Sequence, residues 1–236
     1  MATFLVAHGG WSAGWVWKKM RSRLEQRGHM LFVPTHTGLG ERLHLATPEI
    51  GLGTHIADVL GVIEFEDLRD VILVGHSYGG MVATGVADRA ADRVSQLVYL
   101  DAFVPRSGQS LFDLQTPELR ARMRDKARES GDGWRVPPNP TPPDTSEADV
   151  AWIRPRRMMQ PLRCFEEPLQ LEGHAAHLPR SYIYCQRAAP GDGFRPFAEH
   201  ARSDPDWRYY ELDASHSPHV TAPDALAELL DRIAGG

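Results

Sequence analysis

The run Val71-Ile72-Leu73-Val74-Gly75-His76-Ser77-Tyr78-Gly79-Gly80 constrains the fold more than any other part of the chain. Its first four residues are apolar and mostly β-branched, which suits a strand buried on both faces of a parallel sheet. A helical pattern over 81–91 follows at once. A chain that passes from strand to helix through Gly-x-Ser-x-Gly has to turn sharply. The serine is then held in a strained conformation, and the flanking glycines let strand and helix approach closely enough to leave its oxygen exposed. Ser77 is therefore the candidate nucleophile.

The rest of the chain repeats this strand-and-helix rhythm. Apolar runs at 4–7, 30–34 and 96–100 read as strands, and Trp17, Met20 and Leu24 mark one face of a helix between the first two. A further helix is expected over 58–66, with Val59, Val62 and Ile63 on one face. The rhythm stops after Phe103. A basic helix over 118–129 and the proline-dense segment 137–143, which suits neither a central strand nor a helix interior, point to an inserted cap. Strands resume at 181–185 and 207–212, and a last helix carries Leu226, Leu229, Leu230 and Ile233, with Thr221 and Asp224 as its expected capping pair. The expected organisation is one domain: an α/β core from 1–104 and 180–236, and a cap insertion from 105–179.

Composition narrows the function. With 236 residues the chain is long enough for one sizeable core, and 26 basic against 31 acidic side chains leave a net charge of −5. That balance argues against general binding of nucleic acid or of an anionic membrane surface. Cys164 and Cys185 cannot form a disulfide framework and fit a reducing compartment, the start of the chain lacks the pattern of a signal peptide, and no apolar run is long enough to span a membrane. A cytoplasmic protein is expected. A homodimer is compatible with the sequence, which does not specify one. No metal or other cofactor is called for, because the histidines lack metal-ligand spacing.

A serine hydroxyl needs a base to take its proton, and that base is a histidine oriented by a third group. His216, between the last strand and the terminal helix, is the expected base, with His219 as its rival. Asp192, in the loop after the penultimate strand, is the expected acid; Asp101, at the end of the strand 96–100, competes with it. The oxyanion that forms during acyl transfer needs backbone donors, expected from Tyr78 at the elbow and from Gly10 in the turn His8-Gly9-Gly10-Trp11.

Several segments together resemble the α/β-hydrolase superfamily, and within it the branch of plant methyl esterases, hydroxynitrile lyases and bacterial pyrethroid-type esterases. They are the stretch from Phe4 through His8-Gly9-Gly10-Trp11 to Trp15, Thr37-Gly38-Leu39-Gly40-Glu41-Arg42, the elbow, 99–105, and in the cap Gln160-Pro161-Leu162 with Glu167-Pro168-Leu169. The resemblance implies a mostly parallel twisted sheet flanked by helices. It also implies Ser77 as nucleophile, His216 as base and Gly10 and Tyr78 as oxyanion donors; Asp192 matches the acid once the preceding loop is shortened. Cyanogenic lyases of this branch carry a lysine after the histidine, where this chain has Ser217. Hydrolysis of a small to medium, neutral, hydrophobic or aromatic carboxylic ester through an acyl-enzyme is the expectation. The alternatives are lyase, C–C hydrolase or cofactor-free oxygenase chemistry on the same scaffold, or small-molecule binding without turnover.

Overall fold

Side chains alternate between the two faces of a strand, so a chain of doubly buried strands builds a core on each side of its sheet. The computed structural model describes residues 1–187 and 192–236. The chain runs β1 (Thr3–Ala7), α1 (Lys18–Glu25), β2 (Met30–Phe32), α2 (Leu52–Phe65), β3 (Val71–His76), α3 (Gly79–Arg89), β4 (Val94–Leu100), α4 (Pro117–Ser130), β5 (Arg135–Val136), α5 (Glu147–Ile153), β6 (Gln160–Pro161), α6 (Arg163–Glu166), β7 (Arg180–Cys185), α7 (Arg195–Ser203), β8 (Trp207–Leu212), α8 (Pro218–Thr221) and α9 (Pro223–Gly235). Six strands pair in the order β2-β1-β3-β4-β7-β8, every pairing parallel. This is the helix-flanked parallel sheet expected of the sequence.

The two cores follow the alternation. Phe4, Val6, Ile72, Val74, Val98 and Leu100 face Met20 and Leu24 of α1 and Leu226 and Leu230 of α9. Leu5, Ala7, Leu73, Leu97 and Tyr99 face Ile56 and Val59 of α2 and Met81 and Val86 of α3. Each such fully buried aliphatic side chain contributes about 1.5–3 kcal/mol through removal from water. The second core also takes in Phe112, Met123, Ala127, Val136 and Phe165 from the 105–179 segment, so that segment shares its buried surface with the sheet.

Two local expectations differ from the structure. Helix α2 begins at Leu52 and not at 58, because the fully buried His55 joins Leu52, Ile56, Val59 and Ile63 on its inward face. Thr221 and Asp224 do not cap α9. Its N-cap position is Ala222 with Pro223 at the first turn, Thr221 closes α8 by donating to Ser217 O at 3.3 Å, and Asp224 is held by Arg23 at 2.6 Å. The 105–179 segment leaves the sheet after β4 and returns at β7, its neighbour, where Leu97 is in register with Arg180. Within it β5 and β6 form a short antiparallel pair with Val136 opposite Gln160.

Candidate active site

Ser77 sits between β3 and α3 with φ 56°, in the left-handed region that side-chain-bearing residues seldom adopt. Such a residue costs about 1–3 kcal/mol and persists only where its surroundings hold it. Here they do so at three points: Ser77 N donates to Leu100 O (3.3 Å), and Ser77 O accepts from Gly80 N (3.0 Å) and Phe103 N (3.3 Å). The glycines are required by contact. A Cβ on Gly79 would lie 1.9 Å from Ala7 O, and one on Gly75 would lie 2.7 Å from Gly79 O. Ser77 keeps partial exposure between buried neighbours.

Of the two candidate aspartates, the structure brings Asp101 to His216. His216, in the loop after β8, directs Nδ1 at Asp101 Oδ2, 2.7 Å away. Asp101 follows β4 with φ 43° and is 4 % exposed; its other oxygen accepts from Cys185 N at 3.3 Å. Asp192 does not meet His216. Its carboxylate accepts from Tyr184 Oη (2.7 Å) and from Phe194 N (2.9 Å), closing the turn that leads into α7. The residues just before it, 188–191, lie outside the described residues. The physical reason for the difference is sheet order. β4 lies directly beside the elbow strand, so a residue at its end reaches the base without a loop excursion. His219 is turned away from both acids: it is 3 % exposed and stacked on Trp17 at 4.6 Å between ring centroids.

Backbone donors converge on the same place. Gly9 packs against the elbow, since a Cβ there would fall 3.2 Å from Ser77 Cβ. His8 donates Nδ1–H to Gly9 O at 2.9 Å and accepts from His36 N at 3.1 Å through Nε2. Gly9 C=O and Gly10 N–H belong to one planar peptide, so the bond from His8 aims the Gly10 N–H the opposite way. Among the described residues neither the Gly10 nor the Tyr78 N–H has an acceptor. The Tyr78 side chain is anchored behind the site, donating its hydroxyl to His55 Nδ1 at 2.9 Å, while His55 Nε2–H donates to Thr37 O at 3.0 Å.

The alpha/beta hydrolase family matches residues 4–229, which is nearly the whole chain. The chain belongs to that family. A carbendazim hydrolyzing esterase from Nocardioides sp. is 42% identical over 240 residues, covering 98% of each chain. A pyrethroid hydrolase from Sphingobium wenxiniae is 25% identical over 252 residues, covering 96% of this chain and 85% of its own. Among solved structures, an extracellular alpha/beta-hydrolase from a Paenibacillus species superposes with a TM-score of 0.84 at 25% identity, covering 98% of both chains.

Electrostatically this hydrolase surrounds its elbow with neutral imidazoles. Burial lowers His8 and His55 to about 4 and His219 to about 3, and pushes His36 and His76 well below the ordinary histidine value. The rings of His8, His36 and His55 stack at 3.8 and 4.7 Å, so each would also repel charge on the next. His76 donates Nε2–H to His216 O at 2.7 Å, tying the base loop to the elbow. Burial drives Cys164 up to about 12, which removes it as a thiolate nucleophile.

Aromatic side chains pack on His216, Trp11 and Tyr78. Phe194 stacks face to face on His216 at 4.7 Å, and Phe165 of α6 meets Trp11 at 5.4 Å and Tyr78 at 5.7 Å. Phe112 stacks on Phe165 at 6.2 Å. Trp152, by contrast, packs against Trp15 and lines a cavity of ≈ 470 Å³ with Lys18 and Arg156, a cavity that neither Ser77 nor His216 lines. No group of three or more His, Cys, Asp or Glu side chains is arranged for a metal among the described residues, and among those residues no helix is long and apolar enough to cross a membrane.

Proposed function

We propose that Ser77 is the nucleophile, His216 the general base, Asp101 the acid that orients it, and the Gly10 and Tyr78 N–H groups the oxyanion donors. The observation that carries this reading is the 2.7 Å contact from His216 Nδ1 to Asp101 beside a serine held in the left-handed conformation. The chain is an ester-hydrolysing enzyme of the alpha/beta hydrolase type, in line with esterase relatives of high coverage. Ser77 Oγ attacks the ester carbonyl as His216 Nε2 takes its proton. The imidazolium formed is stabilised by Asp101 and by the ring face of Phe194. The C–O bond to the alcohol then breaks, His216 returns the proton to the leaving oxygen, and water, deprotonated by the same histidine, releases the acid from Ser77.

The substrate class is a small to medium, neutral, hydrophobic or aromatic ester. Support comes from the aromatic surroundings of the site, Phe112, Phe165, Trp11 and Phe194, which favour apolar surface. The 105–179 segment acts as a cap that sets this preference. Two free, buried cysteines favour a reducing, cytoplasmic setting. A panel of chromogenic esters of graded acyl length, with carbendazim alongside, tests the reading against a Ser77→Ala control. Turnover that survives in Ser77→Ala would overturn it.

A further inference from the structure

Two consecutive glycines, Gly9 and Gly10, carry one of the proposed oxyanion donors, and two glycines leave a loop free to wander unless both ends are fixed. His8 fixes the first peptide from the core side. The second is fixed from the cap. Trp11 follows with φ 57°, a conformation that a tryptophan does not adopt unaided. Both of its N–H donors are used to hold it there: the main-chain N–H donates to Gln160 Oε1 at 2.8 Å, and the indole Nε1–H donates to Val136 O at 2.9 Å. The two acceptors are not independent, because Val136 and Gln160 are register partners across the β5–β6 pair. One two-stranded unit of the cap thus grips one residue of the oxyanion loop from two directions.

The Gln160 side chain makes little sense as packing alone. It is 0 % exposed, and its Nε2 has no partner among the described residues. An apolar side chain of the same length would fill the space without an orphaned donor. What an apolar side chain cannot supply is the oxygen that Trp11 N–H requires, and that oxygen would lie 3.1 Å from a Cβ on Gly10, directly against the oxyanion peptide.

We propose that Gln160 is a positioning residue for ester hydrolysis, and that the β5–β6 pair, through Gln160 and Val136, holds Trp11 left-handed so that the Gly10 N–H stays aimed at the oxyanion. This rests on the functional reading above. It makes the cap a part of the catalytic scaffold as well as the wall of the pocket.

The decisive comparison is Gln160→Met, which keeps length and removes the acceptor, against Gln160→Glu, which keeps an oxygen at the same position. In Gln160→Met, kcat falls about 10²-fold for every ester in the series while KM stays within about threefold, the pattern of a misaimed transition-state donor. Gln160→Glu recovers kcat to within about tenfold of the parent. Trp11→Phe, which loses only the bond to Val136, falls between the two. Amide hydrogen exchange at Trp11 reads the clamp without any turnover: it is slow in the parent and in Gln160→Glu, and fast in Gln160→Met. An unchanged kcat in Gln160→Met, or a changed ranking of esters, or unchanged exchange at Trp11, would overturn the proposal. If the parent cleaves no ester, the functional reading fails and the catalytic role of Gln160 fails with it, while exchange at Trp11 still reports whether the clamp exists.

Discussion

The carboxylate of Asp101 is divided between two groups from different parts of the chain: Oδ2 meets His216 Nδ1 at 2.7 Å, and Oδ1 accepts the backbone N–H of Cys185 at 3.3 Å. A buried carboxylate fixed on both oxygens cannot rotate away from the base. His216 is in turn tied to the elbow through its own carbonyl and His76, so the four strand ends β3, β4, β7 and β8 are joined by hydrogen bonds close to Ser77.

Asp101→Asn is expected to lower kcat by roughly 10³- to 10⁴-fold, because an amide at that position favours the wrong imidazole tautomer. Asp192→Asn keeps oxygen for the Phe194 N–H and is expected to change kcat by less than about tenfold, with its effect confined to the turn before α7. Steady-state kinetics of the two variants decide the matter. The opposite order of losses would return the acid to Asp192.

An organophosphonate probe is expected to give one adduct, on Ser77, by intact mass and peptide mapping. Ser77 stands at the sharp turn between β3 and α3 in the left-handed conformation, which presents its hydroxyl for attack. Labelling of a different serine, or none on folded protein, would refute the nucleophile assignment.

Stability is expected to fall as pH drops from about 6.5 toward about 4. His8 and His55 bind protons only near 4 in the folded protein, and His219 only near 3, whereas all three bind them near 6.5 once unfolded. Through that window the unfolded chain therefore holds more protons and acid pulls the equilibrium toward it. Each such site costs about 2 kcal/mol at pH 5. His219→Phe, which can still stack on Trp17, should flatten the fall of Tm below pH 6.5 while leaving ester turnover in place. Superimposable Tm curves for the two proteins would count against this account.

Phe165→Ala is expected to reorder kcat/KM across an ester series, since Phe165 touches Trp11 and Tyr78 beside the nucleophile. Trp152→Ala is expected to leave that order intact and to lower Tm, because its ring packs on Trp15 away from the site. A reordering caused by Trp152→Ala would place that side chain in the pocket after all.

The strand-and-elbow framework was legible because its signals are local. A β-branched run buried on both faces reads as a parallel strand, and Gly75 and Gly79 are required by contacts within a few residues of the turn and with β1 respectively. Gly10, Tyr78 and His216 became candidates through their positions relative to strands. Which aspartate His216 meets could not be read that way. Asp101 and Asp192 both follow strands, and only the spatial order β3-β4-β7 with the turn-closing bonds of Asp192 separates them. The histidine stack was hidden for the same reason: His8, His36 and His55 are distant in sequence and meet only after β1 and α2 pack. Gln160 belonged to a recognisable Gln-Pro-Leu segment, yet nothing local revealed that its oxygen would meet Trp11, 149 residues away.

The 105–179 segment departs from β4 and returns at its hydrogen-bonded neighbour β7, and this bears on how such a chain can diversify. Because the two strands are parallel, it leaves beyond the C-terminal end of β4 and re-enters at the N-terminal end of β7, and the pairing fixes both points whatever lies between them. Lengthening it therefore adds only about 0.6 kcal/mol of closure entropy per doubling. Such a segment can be redesigned as a cassette between fixed strand ends. Two conditions travel with every replacement: it must fill the core where Phe112, Met123, Ala127, Val136 and Phe165 now pack, and it must bring an acceptor to the Trp11 N–H. A grafted cassette that omits the acceptor would inherit a new substrate range together with a slack oxyanion loop.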